Sequence, residues 1–174
     1  MKRRDLIILV ILHALFLMIV YVFQGIIFPY LRSYGLVPLL LPIATAGVAV
    51  YEGRYTGGIF GIFAGVMCDV SFNKPAILFT IVLTIAGLMI GTVADTVMTR
   101  GFATYILSSI AVLVASAFVQ LFPLLFFVRV SFQPLLATAL RQTAYSLLFA
   151  VPIWFFARAL GKRAQRFSPS GKPL

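Results

Sequence analysis

Residues 55–72 read YTGGIFGIFAGVMCDVSF, an apolar run with four glycines and one acid. Gly57, Gly61 and Gly65 recur every four residues, and Asp69 continues the series. Steps of four keep residues near one face of a helix. Glycine weakens a helix in water by roughly 1 kcal/mol relative to alanine, but in a membrane it lets a second helix backbone approach closely. The spacing predicts a helix with a face for close packing.

The same spacing returns later in the chain. Gly87, Gly91 and Asp95 repeat the pattern Gly-xxx-Gly-xxx-Asp seen at positions 61, 65 and 69, and Gly58 broadens the first small-residue face. The two patterns predict a close antiparallel pair of helices. These glycines are therefore candidates for helix packing within the chain or for binding a partner helix, and the pattern alone does not choose between them.

The composition assigns the chain to a broad class. It has 174 residues, of which 62% are hydrophobic and 10% are charged, whereas soluble domains have about 25% charged residues. We expect an integral membrane protein with one helical domain over residues 1–174. Its one cysteine, Cys68, excludes an internal disulfide framework and a cysteine-based metal site.

Breaks that carry glycine, proline or charge divide the chain into apolar segments. The segments are 6–28, 36–51, 55–71, 75–98, 102–128 and 134–159. We interpret the first as an uncleaved membrane helix, because it is longer than the roughly 7–15 apolar residues of a signal peptide. The second and third are short for a bilayer core, so a re-entrant hairpin over 36–71 is an alternative. The prediction is an all-α integral membrane protein, a compact bundle of six transmembrane helices.

The cations predict the orientation of this bundle. With six spans, one side carries both termini and most of the basic residues: Lys2, Arg3, Arg4, Arg54, Arg100, Arg158, Lys162, Arg163, Arg166 and Lys172. The other side carries Arg32, Lys74 and Arg129. Both termini are therefore predicted to be cytoplasmic, in a multi-pass protein of a bacterial cytoplasmic membrane. The net charge of +10 is mostly a topology signal, and the basic tail, 161–174, could also contact anionic lipid head groups. Cations spread over loops argue against nucleic-acid binding.

Several polar residues are exceptional within these segments and are candidate structural or interaction residues. Acids in a membrane span usually face protein or water, so Asp69 is expected to pair with a cation, cap the following loop or bind a ligand. Asp95 is expected to contact Arg100, five residues later. Arg54 belongs to the basic turn before the glycine series.

Arg141 and His13 are two further exceptions. If the last helix begins near residue 134, Arg141 lies about 10 Å deep, with Gln142, Gln120 or Asp69 as candidate partners. If the helix begins near Arg141, that residue is interfacial. Pro152 is expected to kink the same helix. His13 is interpreted as a packing residue rather than a proton relay.

Enzyme classes have little support in the sequence. One histidine and four separated acids provide no triad and no paired carboxylates. The nucleophile-elbow, P-loop and His-Glu-x-x-His motifs do not occur. We expect a protein that is not an enzyme and has no catalytic residues, cofactor or metal site.

Two stretches carry a family resemblance. Leu39-Leu40-Leu41-Pro42 is followed at 52–69 by EGRYTGGIFGIFAGVMCD. This combination resembles the MreD family of bacterial rod-shape-determining membrane proteins, which show a short basic-and-glycine turn and then a glycine ladder ending in aspartate. Sequence-level matching covers about residues 39–95, and the length, the six-span layout and the basic inner ends agree with it.

The resemblance implies a non-catalytic role in the peptidoglycan elongation machinery that sets cell shape. The implied partners are membrane lipids and a bitopic MreC-like protein, together with an MreB filament, a RodA-type glycosyltransferase and a class B penicillin-binding transpeptidase. The family's fold is similar to that of the substrate-binding S components of energy-coupling-factor vitamin transporters.

That similarity raises an alternative function, in which the chain binds a small vitamin-like molecule from outside. The predicted outer loops offer polar and aromatic groups for such a site, namely Tyr30, Arg32, Tyr34, Asn73, Lys74, Arg129 and Gln133. Against this alternative, residues 6–20 lack the spaced small residues with which S components dock on their transport partner, since only Ala14 is small.

Overall fold

The computed structural model describes residues 3–30, 37–71, 77–96, 101–127 and 132–167, and these residues form helices without any strand. The elements are α1 (Arg3–Val22), a π-helical turn (Phe23–Ile27), α2 (Phe28–Tyr30), α3 (Leu40–Glu52), α4 (Arg54–Ser71), α5 (Leu78–Thr96), α6 (Phe102–Phe127), α7 (Phe132–Leu148) and α8 (Ala150–Phe167). The expectation of an all-α protein is confirmed.

Within the described ranges, three helical stretches are long and apolar enough to cross a membrane: Ile7–Tyr30, Leu78–Thr96 and Phe102–Leu121. The pair Leu136–Leu148 and Ala150–Ala164 is bent by 51° and would provide a fourth crossing if it acts as one broken span. The structure therefore supports a helical membrane protein with three or four spans by length and composition. The predicted count of six is not confirmed by the described residues.

Helix α3 lies at the centre of the fold, and each of its 13 residues is buried. Helices α4, α5, α6 and α8 pack around it, and α1 covers a further side. A helix that is apolar on every side is stable only where other elements enclose it. At about 1.5 Å per residue, α3 is about 20 Å long. Protein rather than lipid surrounds it, which explains how so short an apolar segment is accommodated.

A single residue, Gly53, joins α3 to α4. Its φ of 92° lies in the region that glycine adopts without steric cost. Its N–H donates to Ala49 O at 3.1 Å, and its carbonyl accepts from Gly57 N at 3.0 Å. The Glu52-Gly53-Arg54 turn of the sequence is therefore an abrupt reversal between two helices.

The last predicted helix, 134–159, is two helices in the structure. The chain bends between Leu148 and Ala150, before Pro152. Proline has no N–H to donate, and its ring clashes with the carbonyl four residues earlier, which here belongs to Leu148. The predicted effect of Pro152 is present, but as a break rather than a kink within one helix.

The bend is held by hydrogen bonds from neighbouring groups. Phe149 N donates to Ser146 O at 3.1 Å, a tighter turn than in an α-helix. The hydroxyl of Tyr105, a fully buried residue of α6, donates to Ala150 O at 2.9 Å. This contact joins the first residue of α8 to the core around α3.

Candidate functional site

The glycines of α4 lie directly against the backbone of α5. A methyl group added at Gly61 would meet the carbonyl of Leu83, and one added at Gly65 would meet the backbone of Thr80, each within 3.0 Å. Real side chains essentially never make such close contacts. The residues opposite fall in number from 83 to 80 as α4 advances, so the two helices run antiparallel. The predicted close antiparallel pair is present.

The second glycine series completes the same interface from the other side. A methyl group at Gly87 would meet the carbonyl of Gly57, so these two glycines face each other across the pair. A methyl group at Gly91 would meet the backbone of Arg54, at the first residue of α4. Gly58 is packed differently, because its neighbour is the flexible end of the Leu88 side chain. The ladder of α4 and the shorter ladder of α5 therefore form one contact surface.

This arrangement bears on the two roles that the sequence left open for the glycines. Five ladder glycines, Gly57, Gly61, Gly65, Gly87 and Gly91, are buried between helices of this chain. A partner helix could reach them only if α4 and α5 separated. In this structure the five glycines serve packing within the chain.

Asp69 joins the last turn of α4 to the first turn of α5. Its Oδ1 accepts from Phe79 N at 3.1 Å, and its Oδ2 accepts from Thr80 N at 3.0 Å and from the Thr80 hydroxyl at 2.7 Å. The residue is 8% exposed. A carboxylate at this place satisfies helix N–H groups that lack a partner within the helix and complements the positive end of the dipole. Of the three expected roles, these contacts are those of a cap, although for α5 rather than for the loop.

The other predicted polar residues are not brought together. Asp95 is exposed on α5, and its expected partner Arg100 lies outside the described residues. Arg54 is exposed and donates to the Tyr55 hydroxyl at 2.7 Å, with its guanidinium over the same ring. Arg141 is exposed on α7, and Gln142 beside it donates instead to Val37 O at 2.8 Å. Asp69, a second candidate partner for Arg141, accepts hydrogen bonds from Phe79 and Thr80 of α5 instead.

The structure describes two of the seven outer polar and aromatic residues of the transporter alternative. Tyr30 is 89% exposed, and Gln133 is also exposed. The remaining five candidates lie outside the described residues: Arg32, Tyr34, Asn73, Lys74 and Arg129. The described part of the chain contains no group of three or more His, Cys, Asp or Glu side chains that could hold a metal ion.

Side chains from distant parts of the chain satisfy the first N–H groups of α3. Gln24 Oε1, in the π-helical turn, accepts from Leu40 N at 2.7 Å and from Leu41 N at 2.8 Å. Ser146 Oγ, on α7, accepts from Leu39 N at 2.9 Å. Unpaired N–H groups are costly where water does not reach. These contacts therefore attach the π-helical turn after α1, and α7, to the beginning of the central helix.

At the other end of α3, Glu52 meets His13 of α1. His13 Nε2 lies 2.8 Å from Glu52 Oε2, and the two side chains are 13% and 2% exposed. The distance is that of an ion pair when the imidazole is protonated. The other imidazole nitrogen, Nδ1, is 2.8 Å from Leu9 O in the same helix.

Helix α1 and the π-helical turn that continues it thus contact both ends of α3 through polar side chains. His13 and Gln24 are eleven residues apart, close to three helical turns and therefore on one face. Phe16, Leu17 and Val20 of that face are buried between them. One helix of the fold fixes the position of the central helix at its beginning and at its end.

Sequence reasoning missed both of these contacts. It placed Glu52 in a loop and weighed His13 alone. A signal was available, because the eleven-residue spacing of His13 and Gln24 equals that of Leu41 and Glu52. When two antiparallel helices carry interacting groups at equal spacing, both pairs of groups can meet at once. Only the fold shows that these two helices are neighbours.

Replacing Gln24 tests the connection at the beginning of α3. We expect Gln24→Leu to lower the stability of the detergent-solubilised protein, because it leaves the Leu40 and Leu41 N–H groups without an acceptor. The cost is about 1–3 kcal/mol for each buried group. Gln24→Glu keeps an acceptor oxygen and is expected to be milder. Thermal unfolding followed by circular dichroism measures the difference.

The matched control for this substitution is Gln120→Leu on α6. The side-chain nitrogen of Gln120 is buried and has no hydrogen-bond partner among the described residues, so removing it deprives no partner. Equal losses of stability for the two glutamines would contradict the role given to Gln24.

No family model, no curated protein and no solved structure matches this chain.

Proposed function

We propose that this chain is a non-catalytic membrane scaffold of the MreD type, which joins proteins of the peptidoglycan elongation machinery. One observation carries the proposal: the residues on which the MreD resemblance rests are those that build the core. Gly53 makes the turn, Glu52 contacts His13, the glycines pack α4 on α5, and Asp69 caps α5. A sequence pattern that serves packing within the chain suits a protein whose task is to present a fixed surface to its partners.

In this proposal, partner helices bind the membrane-facing surfaces rather than the glycine ladders. Helix α4 presents Ile59, Ile62 and Phe63 outward, and α6 presents Leu107 and Val114, all exposed. Such surfaces accept either lipid or another apolar helix. The proposed partners are a bitopic MreC-like protein and, through it or directly, a RodA-type glycosyltransferase, a class B penicillin-binding transpeptidase and an MreB filament.

Site-specific photo-crosslinking in the native cell tests this proposal. A photoreactive residue at Ile62, Phe63 or Leu107 is expected to capture a bitopic membrane protein, because these side chains leave the bundle. The same residue at Leu113, which is fully buried, is the matched control and is expected to capture nothing. Mass spectrometry identifies the captured protein.

Depletion of the chain is the second arm, and it should round or swell rod-shaped cells. Normal shape after complete depletion would overturn the scaffold proposal. Tight binding of a thiamine- or biotin-sized molecule to the purified protein, with ATPase genes beside its gene, would instead favour the transporter S component.

A further inference from the structure

The contact between His13 and Glu52 depends on where the hydrogens of the two side chains lie. Nδ1 of His13 lies 2.8 Å from the carbonyl oxygen of Leu9. A carbonyl oxygen only accepts, so Nδ1 carries a hydrogen. In neutral histidine the other nitrogen, Nε2, then has a lone pair and no hydrogen.

That lone pair lies 2.8 Å from Glu52 Oε2. An ionised carboxylate has only lone pairs to present, so without another hydrogen two electron-rich atoms would be in contact. The distance is compatible with attraction only if one further proton resides on Nε2 or on the carboxyl group. The pair therefore holds one proton beyond the hydrogen on Nδ1.

Among the described residues, no other group compensates the charge of the carboxylate. Apart from the contact with His13, neither oxygen of Glu52 has a hydrogen-bond partner among the described residues. On α4, Arg54 is directed to Tyr55, and on α8, Arg158 lies over Trp154. The hydroxyl of Tyr51 on α3 accepts from Trp154.

Four further charged side chains on the neighbouring helices are exposed: Arg4 on α1, Asp95 on α5, and Lys162 and Arg163 on α8. The buried ionisable groups have partners of their own, since Asp69 accepts from α5, Cys68 Sγ accepts from Gln24 and the Tyr105 hydroxyl donates to Ala150 O. On the α4 side, the ring of Phe60 packs edge-on to His13. A buried carboxylate without a counter-charge is expensive inside a membrane.

We propose that His13 and Glu52 form a proton-binding site inside the helical bundle, at the contact between α1 and the α3–α4 turn. The ligand is a single proton held between imidazole and carboxyl. Its binding removes the repulsion between the two side chains and joins α1 to the end of the central helix. The site is independent of the scaffold proposal, because it depends only on these two side chains and their surroundings.

The chain is well suited to a direct test, because His13 is its one histidine. Protein labelled with ¹⁵N-histidine, in lipid nanodiscs at about pH 7, gives ring-nitrogen resonances that need no assignment. Infrared difference spectra between wild type and Glu52→Gln isolate the carboxyl group of Glu52 from the other three acids. We expect wild type to show either protonation of both ring nitrogens or a carboxylic-acid band that is lost in Glu52→Gln.

In Glu52→Gln itself, Nδ1 alone is expected to be protonated. Wild-type spectra that show an unprotonated Nε2 and no carboxylic-acid band would overturn the proposal. The histidine measurement uses wild-type protein alone, so it does not depend on the folding of a variant. The emission of the one tryptophan, Trp154, which contacts Tyr51, reports whether Glu52→Gln keeps the native arrangement.

A double-variant cycle provides an independent arm. His13→Leu leaves the buried Glu52 without its partner and is expected to lower the unfolding midpoint. The double variant His13→Leu with Glu52→Met removes both groups and is expected to recover part of that loss. Additive losses from the two substitutions would mean that the side chains do not share a proton.

Discussion

Gly61→Ala is expected to lower the stability of the protein more than the same substitution at a glycine outside the two glycine series. The new Cβ would lie within 3.0 Å of the Leu83 carbonyl, and a backbone group inside a helix cannot move aside by changing rotamer. Overpacking of this kind costs about 1–3 kcal/mol and sometimes more. The expected result is a lower midpoint of thermal unfolding, because α4 and α5 can no longer meet at their present separation.

Two glycines of the same chain supply matched controls. Gly58→Ala meets only the end of the Leu88 side chain, which can move, so the expected loss is smaller. Gly25→Ala meets nothing nearer than Ser71 Oγ at 3.7 Å, an ordinary contact, and is expected to leave the midpoint unchanged. If all three variants unfolded at the same midpoint, the close backbone contact at Gly61 would have no effect of its own, and the interface would not depend on the glycines.

Asp69→Ala is the second substitution with a large expected effect. It removes the acceptor of Phe79 N, of Thr80 N and of the Thr80 hydroxyl. Each buried group left unpaired costs about 1–3 kcal/mol, and inside a membrane water offers little replacement. The first turn of α5 is therefore expected to fray, which hydrogen–deuterium exchange at residues 79–82 would measure as faster exchange.

Asp69→Asn keeps one acceptor oxygen and is expected to give an intermediate result. Asp95→Ala is the matched control, because it removes an exposed acid from the other end of the same helix. If removal of Asp95 accelerated exchange at residues 79–82 as much as removal of Asp69, the effect would arise from net charge and the cap would not be responsible.

The spacing of residues along the chain predicted those features of the fold that are determined within a single segment. The four-residue steps predicted the antiparallel contact of α4 with α5, since spacing alone determines which residues share a helix face. The position of Pro152 predicted a disturbance in the last helix, since its cause is local. The size of that disturbance was not predictable, because the Tyr105 hydroxyl that helps to hold the bend comes from α6.

Contacts between distant parts of the chain were not predictable from any single segment. Gln24, Ser146 and Glu52 become important only when the ends of α3 are placed beside α1 and α7. The short length of α3 had the same origin. A count of apolar residues judges a segment against lipid, whereas this helix is enclosed by protein on all sides.

The complete enclosure of α3 has a consequence for how the protein is made. A segment of about 20 Å that never faces lipid gains little from entering a bilayer alone during synthesis. The one-residue turn at Gly53 ties it to α4, so the two are expected to leave the insertion machinery together. They can be stable only after α5 and α6, which are made later, have closed around them. Until α7 is also made, the Leu39 N–H lacks its acceptor, Ser146 Oγ, and this interval is when membrane quality control is expected to recognise the chain.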